Sequence, residues 1–299
     1  RQSLSPTLSR TGEGAAQRSE RPLRFRCADM YEYGAASPFP ATETPKEMPV
    51  ALALSPHLDD AVFSCGGTLA TLADAGWRVV MATLFTASVP EPRGFALACQ
   101  LDKGLGPEVD YMALRRAEDL EAAGILGVAT EHLPFREAPH RGYASAQALF
   151  SETRADDAVV ADLVPGLAAL VGAVRPDLIL APQAIGGHVD HVQAVRALGQ
   201  AAPAAPVLWW RDFPYTVRDA EPKQPLRPLF ADRPVRTVAL DPGAQLRKAR
   251  ACAAYATQIG FQFGGEAGLL DRLAREEGVE RFRVSGPLPA GLPGRDAAP

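Results

Sequence analysis

Val50-Ala-Leu-Ala-Leu-Ser-Pro-His57-Leu-Asp59-Asp60 is a short unbroken apolar run that ends abruptly in a cluster of ionisable side chains. An apolar run without alternation fits a strand buried on both faces, as in a parallel sheet with helices above and below. Downstream, Ser64 to Ala75 has helical spacing closed by Gly76, and Trp77 to Phe85 reads as a second strand. Residues 112–126 predict a helix with Leu114, Leu120, Ala123 and Leu126 on its inner face and Gly127 at its end. His132 to Phe135 predicts a strand, and Asp156 to Val174 a helix. Leu178-Ile-Leu-Ala181 repeats the buried-strand pattern, and His188 to Gln200 reads as the next helix. Strands at 207–210, 235–240 and 281–284, with helices at 242–258 and 265–277, complete the series. Strand–helix alternation implies βαβ units, right-handed crossovers and an α/β, Rossmann-like three-layer fold with a mainly parallel sheet. Ligands of such sheets bind beyond the strand carboxyl ends.

The flanks differ in composition. Residues 1–46 are rich in Ser, Thr, Gly, Pro and Arg, and read as a disordered or loosely packed arm. The Pro/Gly-rich segment 287–299 is expected to fray. Residues 47–286 then form a single domain. Stretches 86–110 and 136–155 read as long irregular loops, the second carrying His140 and Arg141 as solvated residues. A net charge of −4 disfavours a nucleic-acid partner. No run approaches the ~20 apolar residues that a membrane-spanning helix requires. The four cysteines are scattered without a C-x-x-C pair, which fits a reducing, cytoplasmic compartment and excludes a thiolate zinc site.

Only five histidines occur, and three of them fall directly after buried strands. Ser55-Pro-His57-Leu-Asp59-Asp60 follows the first strand, and Gly186-Gly-His188-Val-Asp190-His191 follows the 178–181 strand. Imidazole plus carboxylate is the donor set of borderline metals, and catalytic zinc sites use three protein ligands. Any three of His57, Asp60, His188 and His191 supply such a set, leaving a carboxylate and an imidazole for acid–base work. Each cluster by itself also fits helix N-caps. Two clusters at one sheet edge favour the metal site. The glycine pairs form no G-x-G-x-x-G fingerprint, so a dinucleotide module is disfavoured.

The pattern P-H-x-D-D before a Gly-Gly helix, with a later H-x-D-H, resembles the PIG-L/LmbE-type zinc-dependent de-N-acetylases. The resemblance covers about residues 50–260. Arg115-Arg-Ala-Glu118 followed by Leu126-Gly-Val128, and Tyr255-Ala-Thr-Gln258-Ile, are similar to further family segments. It implies zinc, or another divalent metal such as Fe2+, held by His57, Asp60 and His191. It implies Asp59 as general base, His188 as an imidazolium serving the oxyanion or leaving amine, and Asp190 as the partner orienting an imidazole. It implies a small-molecule N-acylated sugar or glycoside as substrate, with Arg115 reaching a hydroxyl or phosphate of it. The alternatives are an amidase on another N-acyl or thiol-conjugate molecule, and a silent metal-containing sugar-binding module. Departures from the family pattern are Leu58, Ala61 and Gly186, where some members carry Pro, Glu and Tyr. Tyr215 is the candidate to replace the missing Tyr as a substrate-binding donor.

Overall fold

The structure, a computed structural model, describes residues 48–297. The predicted arm, 1–46, lies outside these residues. The elements run β1 (Val50–Ser55), α1 (Asp60–Asp74), β2 (Arg78–Thr83), α2 (Gly94–Leu101), α3 (Tyr111–Leu126), β3 (Ala129–His132), α4 (Ala146–Leu149) and α5 (Val159–Val174). They continue β4 (Leu178–Pro182), α6 (Val189–Ala201), β5 (Val207–Trp210), β6 (Val235–Ala239), α7 (Pro242–Ala253), α8 (Ala256–Phe263), α9 (Glu266–Ala274), β7 (Val279–Ser285) and β8 (Arg295–Ala297). All eight strands join one sheet in the order β3-β2-β1-β4-β5-β7-β6-β8.

The first five positions of that order are parallel, whereas β7, β6 and β8 pair antiparallel. The mainly parallel reading therefore holds for β3-β2-β1-β4-β5, and the later strands form an antiparallel extension. One apolar cluster packs α1, α3 and α7 on one face, and another packs α5 and α6 on the opposite face. β1 and β4 are immediate neighbours, with the chain proceeding outward from them in opposite directions. That is the topological switch point, where loops diverge and leave a crevice at the strand carboxyl ends. Both histidine clusters emerge there.

Several expectations change on folding. The 86–110 stretch is not a bare loop, because its Gly94–Leu101 segment forms α2. The 136–155 stretch holds a 3-10 turn, Ala138–Arg141, and the short α4. The 287–299 segment does not simply fray, since Leu292 is buried and Arg295–Ala297 pairs with β6. Finally, α3 is turned relative to the apolar reading. Leu114 and Leu120 face outward, and the buried face carries Met112, Arg115, Asp119, Ala122, Ala123 and Leu126. Arg115 and Asp119 are accepted inside because each finds ionic partners, which outweighs exposing two leucines.

α1 begins earlier than its spacing suggests because it is broken at Cys65 (φ −140, ψ 17). The freed N–H groups of Gly67 and Thr68 donate to the buried carboxylate of Glu280 on β7 (3.0 and 2.7 Å). Lys248 on α7 pairs with the same carboxylate and with Glu276. Removing one member of such a buried ionic cluster leaves charge and donors uncompensated. Glu280→Ala is expected to lower unfolding stability by about 3–5 kcal/mol, read by urea titration. Among the described residues no helix is long and apolar enough to cross a membrane.

Candidate metal centre and active site

β1 delivers His57, Asp59 and Asp60 through a turn in which Ser55 Oγ donates to the His57 carbonyl (2.6 Å) and accepts from Ala61 N (3.0 Å). β4 delivers the second cluster through Gly186 and Gly187, both at positive φ (96 and 77). That left-handed turn aims the N-terminus of α6 back at β1, a path glycine follows without a Cβ penalty. His188 is the N-cap, its Nδ1 accepting from Asp190 N (3.2 Å).

The two clusters meet. Asp60 Oδ2 lies 3.1 Å from both His57 Nδ1 and His191 Nε2. Their remaining ring nitrogens donate to carboxylates, His57 Nε2 to Asp190 Oδ2 (3.0 Å) and His191 Nδ1 to Asp212 Oδ1 (2.7 Å). A carboxylate behind each imidazole is the usual outer partner of a metal-ligating histidine. One donor atom from each of His57, His188 and His191 also falls within 4.8 Å of the others, a second possible ligand set. The donor chemistry of either set fits a divalent cation.

Charges in the centre follow from burial and proximity. Burial, then the neighbouring Asp60, pushes the Asp59 carboxyl up to about 7. Burial lowers the His191 imidazole, but Asp60 and the hydrogen bond to Asp212 outweigh it and raise it to about 9. The negative field that draws a proton onto that ring draws a cation in its place, so the two compete. His188 is pushed down to about 3, by burial first and by His57 second. That direction favours the neutral imidazole, where the resemblance implies an imidazolium. With Nδ1 accepting a backbone N–H, its proton sits on Nε2.

The remaining predicted residues gather around Asp59. Arg115 is only 5% exposed; Nη1 donates to Glu137 (2.6 Å), Nη2 to the Leu58 carbonyl (3.1 Å), and Nη2 stands 3.6 Å from Asp59 Oδ2. Its Nε is buried without a partner among the described residues. Gln262 Nε2 donates to Asp59 Oδ2 (3.1 Å). Glu118 accepts from Thr257 N and Oγ1, and Asp119 accepts from Tyr255 and His132, so the two sequence segments carrying them dock against each other. Tyr215 borders the cavity, and its ring fills the space that a side chain at Gly186 would need. The Tyr215 ring thus packs directly against Gly186.

Three residues escaped the sequence reading. Asp212 is fully buried two residues after β5, and also accepts from Ile185 N (2.9 Å). A carboxylate immediately beyond a strand end was its available signal. Glu137 and Arg141 lie in a stretch with no periodic pattern. Arg141 is not solvated as expected; Nη2 donates to Asp190 Oδ1 (2.7 Å), and the guanidinium pairs with Asp157. His140 takes no part in the centre and borders a separate small cavity.

These features define an α/β protein with a histidine–carboxylate centre at its switch point, and comparison with known proteins sharpens the class. Residues 52–202 match the family described as PIG-L, GlcNAc-PI de-N-acetylase, and the chain belongs to that family. It is 31% identical over 263 residues to 2'-N-acetylparomamine deacetylase from Streptomyces fradiae, covering 80% of this chain and 90% of that protein. Among solved structures it resembles the zinc-inhibited form of teicoplanin deacetylase Orf2, with 27% identity, TM-score 0.66, and coverage of 79% and 98% of the two chains. It also resembles the A40926 pseudoaglycone deacetylase Dbv21, with 29% identity, TM-score 0.65, and coverage of 79% and 96%.

Proposed function

We propose that this protein is a divalent-metal-dependent hydrolase that removes an N-acetyl group from an amino sugar or glycoside. The observation that carries the reading is the convergence of Asp60 Oδ2 with His57 Nδ1 and His191 Nε2, beside an unligated carboxylate, Asp59. His57, Asp60 and His191 would hold the ion, preferred over three histidines because Asp60 already bridges two imidazoles while His188 Nδ1 is engaged by the backbone. The ion supplies Lewis acidity toward the amide carbonyl and toward the attacking water.

Asp59 takes the proton from water as its oxygen attacks the carbonyl carbon, and returns it to the nitrogen as the C–N bond breaks, giving free amine and acetate. Burial raises this carboxyl above the usual carboxylate range, which favours its both taking and returning a proton. Arg115, buttressed by Glu137 and lining the cavity, limits how far that carboxylate rotates and is the nearest guanidinium for a substrate hydroxyl. His188 donates from Nε2 to the carbonyl oxygen as negative charge develops, and Tyr215, which lines the same cavity, provides a second donor. Asp190, clamped by Arg141, holds His57 in its tautomer, and Asp212 does the same for His191.

The test is mass-spectrometric detection of acetyl loss from a panel of N-acetylated glycosides, with Zn2+, Fe2+ and Co2+ supplied separately. Release of acetate with no metal dependence after chelation would overturn the metal reading. Asp212→Asn is expected to weaken metal affinity about 10–100-fold, measured by competition with a chelating dye.

A further inference from the structure

The cavity that opens on Asp59 and His188 has a volume of about 440 Å3. Around the reacting groups its wall is aromatic, and Tyr215, assigned above as a donor through its hydroxyl, also presents its ring. Phe95, Phe150, Phe261 and Tyr215 line it, and Phe261 is 65% exposed. An exposed phenylalanine at a cavity entrance costs solvation unless a ligand covers it. Two cations are layered on these rings. Lys103 Nζ lies 4.5 Å from the Phe261 ring centroid, and the Arg218 guanidinium carbon lies 4.6 Å from that of Tyr215.

Charge accounting separates floor from mouth. Every carboxylate lining the cavity is already engaged. Asp60 lies between His57 and His191, Asp190 is held by His57 and Arg141, and Arg115 pairs with both Glu137 and Asp59, the latter also accepting from Gln262. Lys103 Nζ donates to the Cys99 carbonyl, and among the described residues neither Lys103 nor Arg218 has a carboxylate within ion-pair distance. Burial first and Arg115 second push the Lys103 ammonium below its usual value, and Glu137 and Asp102 oppose this only in part. The entrance therefore offers aromatic stacking and positive potential, a poor match for a ligand with several ammonium groups.

We infer that the N-acylated sugar recognised by this site carries an aromatic aglycone with an acidic substituent. The aglycone stacks on Phe261 and its neighbours, and the acid faces Lys103 and Arg218. Sugars bearing several free amines are discriminated against, even though a relative 31% identical to this chain is named for paromamine. This inference rests on the deacetylase reading above.

The test uses three N-acetylglucosaminides of para-substituted phenols, with carboxylate, methyl or aminomethyl groups, together with N-acetylparomamine. Affinities are measured calorimetrically on Asp59→Asn protein, and kcat/KM on the native sequence. The carboxylate glycoside is expected to bind best, about tenfold tighter than the aminomethyl one, with N-acetylparomamine weakest. Lys103→Glu is expected to reverse the order of the charged pair, and Phe261→Ala to raise KM for all aryl glycosides while kcat holds. Equal or preferred binding of the cationic probes, or an order unmoved by Lys103→Glu, overturns the inference. Binding in the expected order without acetyl release from any probe instead overturns the deacetylase reading and leaves the recognition surface standing.

Discussion

Asp59→Asn is expected to reduce hydrolysis by about 10²–10⁴-fold while metal content stays at the native level. The side chain keeps its volume and one oxygen, so Gln262 still has an acceptor and the turn into α1 is preserved. What disappears is the capacity to take a proton from water and deliver it to the leaving nitrogen. That loss corresponds to about 3–5 kcal/mol of barrier. Steady-state rates alongside metal analysis of the same preparation provide the check. Full activity in the variant would remove Asp59 from the base role, and loss of metal would make it a ligand.

Asp60→Ala is expected to act one step earlier, by emptying the centre. Asp60 Oδ2 stands between His57 Nδ1 and His191 Nε2, and Asp60 also accepts from the His57 backbone N–H (2.8 Å). Removing it takes away the anionic donor and leaves two imidazoles facing each other. The loss of affinity should exceed the ~10–100-fold typical of an outer partner such as Asp212. Hydrolysis should fall to background at metal concentrations that saturate the native protein. Elemental analysis after dialysis distinguishes this from Asp59→Asn, since only Asp60→Ala loses the ion. Retention of stoichiometric metal would favour the three-histidine set, with His188 as ligand.

Both variants sit on residues legible in the sequence, because each belongs to a cluster within a few positions of a buried strand's end. Such clusters are local: His57, Asp59 and Asp60 share one turn, and His188 and His191 share one face of a helix start. The apolar runs likewise indicated β1 and β4 with nearly their observed limits. Where composition and pairing disagree, local patterns failed. Leu114 and Leu120 look like the inner face of α3, yet the helix turns Arg115 and Asp119 inward to meet Glu137, His132 and Tyr255. Arg295–Ala297 resembles a frayed tail, but Arg236 on β6 donates to Asp296 and to the carbonyls of Leu292 and Pro293, holding it in the sheet.

The sequence by itself determined which strand ends carry chemistry and which residue types stand there, since alternation, glycine placement and helix spacing are properties of short segments. Tertiary structure alone decided that β1 and β4 are neighbours, that Asp212 backs His191, and that Arg141 clamps Asp190. It also decided that Tyr215 fills the space left by Gly186. Those relations join positions from 21 to 127 residues apart, and their register follows from strand order and from the need to pair every buried charge.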